Sequence, residues 1–130
     1  MKGTFKTWLL LAIIISASYS RPGIEFFTPD DFSQQLGYMN RPAGYTIAPH
    51  AHKHMIRTLT LTQEVLFIKS GKVKVDFFDD DKNYFDSRIL AKGDVLLLAG
   101  GGHGFEFLED AEMIEVKQGP YCADIDKEHF

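Results

Sequence analysis

Glu64-Val-Leu-Phe-Ile-Lys-Ser-Gly71-Lys-Val-Lys-Val-Asp-Phe-Phe78 reads as two strands joined by a turn at Ser70-Gly71. In the second strand Val73, Val75 and Phe77 fall on one face and Lys72, Lys74 and Asp76 on the other, the alternation of a half-buried strand. In the first, Glu64, Leu66 and Ile68 share a face. A carboxylate placed among Leu and Ile is costly to bury unless it is paired or bound to a cation, so Glu64 stands out.

The same period continues in both directions. Asp79-Asp-Asp-Lys-Asn83 reads as a hairpin turn; its charges are solvated, because the run lacks the spacing of a calcium loop. Residues 84–90, 95–99, 104–108 and 112–117 follow as strands. Upstream, 24–27, 45–50 and 56–61 read as strands too. Thr28-Pro29-Asp30-Asp31 looks like a helix start, with Thr as N-cap and Pro at the first position, and leaves room for a turn or two of helix before Gly37. At least eight short strands at regular spacing predict an all-β barrel or sandwich with little helix.

A chain of 130 residues is one domain, large enough for a single core. A hydrophobic content of 45% and an aromatic content of 13% are too high for wholesale disorder. The net charge of -4 gives no electrostatic footprint for nucleic acid. The single cysteine, Cys122, forms no internal disulfide, and no base in the sequence pairs with it to make a nucleophile. At the N-terminus, Lys2 and Lys6 precede an apolar run over 8–17 that is too short to cross a membrane as a helix. Residues 1–20 are read as contributing the first strand, because Ile13, Ile14 and Ile15 are β-branched and Arg21-Pro-Gly23 bounds the run. The alternative is a secretory signal peptide ending at Ser18-Tyr-Ser20.

Gly44-Tyr-Thr-Ile-Ala-Pro-His50-Ala-His52 carries the second informative pattern. On an extended strand His50 and His52 project from one face, where two imidazoles can share a divalent cation. The spacing alone serves equally well for a polar, partly exposed strand. His54 shares their parity and is read as a rim residue. Farther on, Gly100, Gly101 and Gly102 let the backbone turn sharply just before His103. A phosphate-binding loop is discounted there, since no Lys-Ser/Thr and no helix follow.

Taken together these residues resemble the cupin superfamily. Gly44, His50, His52, Glu64 and Gly71 match its first motif, except that eleven residues (53–63) separate His52 from Glu64 instead of three or four. Gly93, Gly101 and His103 match the second in outline, with Ala99 in place of Pro, His103 one residue early and no following Asn. The resemblance spans 44–107 and implies a double-stranded β-helix, or jelly-roll barrel, with its core over about 24–117. It also implies that His50, His52, Glu64 and His103 bind a divalent transition metal; such mixed N and O donors suit Fe, Mn, Ni, Cu or Zn.

Polar residues near these positions are candidates for a catalytic role: Tyr45, Arg57, Gln63 and Glu106. The end of the chain, from Glu115-Val-Lys-Gln-Gly-Pro-Tyr121 through Asp126-Lys127, is similar to the ends of bacterial cupins associated with surface-polysaccharide and sugar-nucleotide pathways. That likeness implies a cytoplasmic protein acting on a small, carbohydrate-derived molecule, as an isomerase or epimerase. A non-catalytic sugar- or effector-binding cupin is the alternative. Cupins commonly pair through sheet edges, so a homodimer is expected.

Overall fold

In the computed structural model, residues 10–121 and 127–130 are described. They form nine strands: β1 (Ala12–Ile15), β2 (Gly23–Phe26), β3 (Gly37–Asn40), β4 (Glu64–Ser70), β5 (Lys72–Phe78), β6 (Tyr84–Ala91), β7 (Val95–Leu98), β8 (Gly102–Phe107) and β9 (Glu112–Lys117). The protein is all-β, and every strand pairing is antiparallel. One sheet runs β1-β7-β4-β9, a second β6-β5-β8, and β2 and β3 form a separate hairpin.

Although β4 and β5 are separated by a single residue, they belong to different sheets. The turn at Ser70-Gly71 is therefore a corner at which the chain leaves one layer for the other. Gly71 takes φ +81°, and a Cβ there would lie 2.2 Å from the Asp110 carbonyl oxygen, so only glycine fits. Asp79-Asn83, by contrast, closes a true hairpin between β5 and β6. The Asp79 side chain accepts the Asp81 and Asn83 backbone N–H groups, the hydrogen bonding of a tight turn.

The two larger sheets share one core. Leu66, Ile68, Leu96 and Leu98 from the first meet Val73, Val75, Phe77 and Leu90 from the second, with Leu11 at the edge. Ile68, Val73, Val75 and Leu96 are wholly inaccessible, and burying each such side chain is worth about 1.5–3 kcal/mol. The predicted alternation of Val73, Val75 and Phe77 is thus borne out, as is the shared face of Glu64, Leu66 and Ile68. Strand β7 is buried on both faces: Leu97 turns away from this core into a second cluster with Leu36, Ala99, Ile13 and Phe32. That is why its sequence is an unbroken leucine run instead of an alternation.

Two expectations change. No helix follows Thr28; its hydroxyl donates to Gln35 Oε1 at 2.8 Å and accepts the Leu36 N–H at 3.2 Å, so capping chemistry closes a loop here. The segments 45–50 and 56–61 are not strands, because they find no partner strand, and every residue over 41–62 is exposed. Near the N-terminus a strand does form, spanning Ala12–Ile15 among the described residues and paired with β7; the part of the 1–20 reading that falls on residues 1–9 lies outside them. The chain then turns, the Tyr19 N–H reaching the Ser16 carbonyl. The two lysines of the N-terminal reading, Lys2 and Lys6, lie outside the described residues, as does Cys122.

Candidate functional site

Strand register decides which side chains meet at one end of the sandwich. Across β4 and β9, Glu64 lies opposite Lys117 and Leu66 opposite Glu115, so Glu64, Glu115 and Lys117 share the inner face, with Glu115 diagonal to Glu64. On the facing sheet His103 pairs with Phe77 and Phe105 with Val75, so β8 also turns its imidazole inward. A pocket of about 900 Å³ opens between them, lined in part by Thr60, Thr62, Phe105, Met113 and His129.

One contact in the pocket joins two of the predicted ligands from different sheets. His103 Nε2 lies 2.9 Å from Glu64 Oε1. Glu64 is only 9% exposed, yet its carboxyl is held down at about 2, chiefly by the hydrogen bond from His103, against the opposing effect of burial. Glu115 is pushed the other way. Its hydrogen bond to the Glu64 carboxylate, then burial and the neighbouring negative charge, raise its carboxyl above the usual range. Two carboxyl groups in contact thus divide their roles, as like charges at short range must: Glu64 stays ionised and Glu115 keeps its proton longer.

Backbone geometry aims the imidazole. Gly101 takes φ +67°, and a Cβ there would meet the Phe78 carbonyl oxygen at 2.2 Å. Only glycine lets the chain pass so close to β5 before entering β8, the sharp turn expected from Gly100-Gly101-Gly102.

His50 and His52 stand apart from this cluster. They lie on the exposed 41–62 segment, with ring centroids 5.5 Å apart, and His50 Nδ1 contacts the Ala48 carbonyl at 2.9 Å. His54 is exposed beside them. Among the described residues, no three His, Cys, Asp or Glu side chains are grouped so as to hold one metal ion. Glu64 and His103 fit half of a mixed N and O shell, being an ionised carboxylate and an imidazole at one place; the four predicted donors do not fit one ion within a single chain.

None of the four catalytic candidates lines this pocket. Tyr45 is 52% exposed and lies under the Arg41 guanidinium at 4.7 Å. Arg57 is exposed on the same segment. Glu106 occupies the outer face of β8, 3.7 Å from Lys74. Gln63 is buried, but its amide is committed to the fold: Oε1 accepts from Ser33 Oγ and the Gln34 N–H, and Nε2 donates to the Ala99 carbonyl.

The pocket holds instead two residues that sequence reading passed over, Glu115 and Lys117. A signal was available in the strand Glu112–Lys117, whose alternation puts Met113, Glu115 and Lys117 on one face. What the sequence could not supply was the pairing of that strand with β4, across more than forty intervening residues. No protein-family model, no curated protein and no solved structure matches the chain.

Proposed function

We propose that the chain is a cupin-type jelly-roll protein whose pocket binds a small, polar, carbohydrate-derived molecule beside a divalent transition metal held in part by Glu64 and His103. The observation that carries this reading is the Glu64–His103 contact from opposite sheets, at the wall of a pocket of about 900 Å³. A volume of that size suits a ligand of sugar or sugar-nucleotide dimensions. Buried carboxylates are rare unless they are paired or ligate a metal, and Glu64, ionised down to about 2, keeps its ligating form across the physiological range.

A bound metal supplies Lewis acidity toward a carbonyl or enolate oxygen. The chain's own residues supply the rest. Glu115, with its raised carboxyl, can hold a proton at the pocket wall and deliver it, the behaviour an isomerase or epimerase needs. Lys117, opposite Glu64 on the same face, can attract an anionic group of the substrate. Phe105 and Met113 give the apolar surface against which a sugar ring packs. The protein is proposed to act as a homodimer in the cytoplasm.

Thermal unfolding with added Mn, Fe, Ni, Cu or Zn salts tests the assignment. Wild type should gain about 3 kcal/mol of stability at a hundredfold excess of metal over Kd, and His103→Ala should lose most of the gain. An equal response from both proteins would remove His103 from the site.

A further inference from the structure

The segment between β3 and β4 runs outside the two sheets and rejoins them only at its end, where Thr60 and Thr62 line the pocket. Every residue over 41–62 is exposed, Ile56 at 97% and Met55 at 65%. Between Ala43 and Leu61 the one backbone–backbone hydrogen bond among the described residues is local, from the Tyr45 N–H to the Pro42 carbonyl. A run of this length with unpaired backbone and exposed apolar side chains is costly to leave in water, and it is a ready template for pairing with another strand.

Its sequence has the pattern of such a strand. Odd positions carry Tyr45, Ile47, Met55, Leu59 and Leu61; even positions carry His50, His52, His54, Thr58 and Thr60; Lys53, Ile56 and Arg57 depart from the alternation. Two residues of the segment cannot donate a ladder hydrogen bond: Pro42, which precedes the alternating run, and Pro49, which has odd parity within it. Proline is tolerated on an edge strand whose own N–H positions of that parity face solvent. The histidine-bearing positions would then make the ladder bonds to the neighbour. A free edge exists where those histidines are needed: β8 is the last strand of its sheet and presents His103 on its inner face.

We propose that this arm adds to the free β8 edge of a second copy of the chain, and that each pocket is completed in trans, with Glu64 and His103 from one protomer and His50 and His52 from the arm of the other. The exposed area supports a second copy as the occupant. The chain exposes 10114 Å², whereas a compact protein of 14.7 kDa exposes about 6,900 Å². Granting the fourteen residues outside the described set the exposure of a fully extended chain still leaves an excess of about 1,400 Å². A stable interface needs about 800 Å² per partner. The apolar face of the arm would be covered by the hairpin β2–β3, where Ile24, Phe26 and Met39 are likewise exposed. The proposal rests on the metal-site reading above, but its pairing step can be tested without metal.

The deciding experiment co-expresses two differently tagged chains, one carrying His50→Ala and His52→Ala, the other Glu64→Gln and His103→Ala, and isolates the mixed dimer. Trans completion predicts about one metal ion per mixed dimer and close to none on either parental homodimer. A mixed dimer without metal, beside a wild type that binds it, would overturn the proposal and place the ligands in one chain. Sedimentation of metal-free protein at micromolar concentration is the second measurement. A wild type of twice 14.7 kDa that falls to monomer on Ile47→Asp with Met55→Asp supports pairing through the arm, even if the metal reading fails. A wild-type monomer, or a dimer indifferent to the arm substitutions, would reject it.

Discussion

Replacing Glu64 with Gln removes one charge at nearly constant volume and isolates what the buried carboxylate contributes. In the folded protein its carboxyl is lowered from 4.5 to about 2; the unfolded chain returns it to the ordinary value. A group whose folded pKa is depressed adds stability that is present above the unfolded value and lost as pH falls through the folded one. The shift corresponds to ~3 kcal/mol at neutral pH, of which roughly half is gone by about pH 3. Urea unfolding in chelator, at about pH 7 and about pH 3, measures it. Wild type should exceed Glu64→Gln by ~2–3 kcal/mol at the higher pH and by about half as much at the lower. A difference that is negligible, or the same at both pH values, would refute the claim that His103 holds an ionised Glu64 inside the fold.

Glu115 carries the opposite sign, because its raised carboxyl costs stability once pH exceeds the folded value. Glu115→Gln should therefore flatten the decline in stability as pH rises through the folded carboxyl's raised value, read from midpoints across a pH series; an unchanged slope would count against the Glu64–Glu115 contact. Gln63→Ala should destabilise by about 1–3 kcal/mol through the unpaired Gln34 N–H and Ala99 carbonyl it leaves behind, a fall in urea midpoint that a surface-exposed Gln63 would not show. Gly71→Ala places a methyl 2.2 Å from the Asp110 carbonyl at φ +81° and should cost ~2 kcal/mol or more, or prevent folding; a near-neutral result by thermal unfolding would deny the corner its tight geometry. Glu106→Ala, on the outer face 3.7 Å from Lys74, should change stability by less than ~1 kcal/mol and leave metal content unchanged, whereas loss of metal would place Glu106 in the site.

Strand identity was legible wherever one face is buried, because period-two alternation is a direct consequence of burial. Val73, Val75 and Phe77 show this, as do Glu64, Leu66 and Ile68. The limits of that logic are equally physical. His50 and His52 satisfy the alternation of a strand, but a strand also needs a hydrogen-bonding neighbour, and no local pattern says whether or where one lies. Thr28-Pro29 supplies a hydroxyl acceptor for an orphan N–H, and that chemistry closes a loop onto Leu36 as readily as it starts a helix. Gln63 reads as an ordinary polar residue until Ser33, Gln34 and Ala99 are brought around it. The half of the site that was visible, Glu64 and His103, announced itself as a carboxylate on an apolar face and an imidazole behind a flexible turn. Glu115 and Lys117 stayed hidden because their importance comes from the β4–β9 register, a nonlocal pairing.

Glu64 and His103 are proposed to hold part of a metal site in the pocket between the sheets. The most direct test is the metal content of wild-type protein purified without chelator, measured by plasma emission beside His103→Ala. Wild type should carry about one equivalent of a divalent transition metal per chain, and the variant should lose most of it. Less than about a tenth of an equivalent in wild type would contradict the proposal.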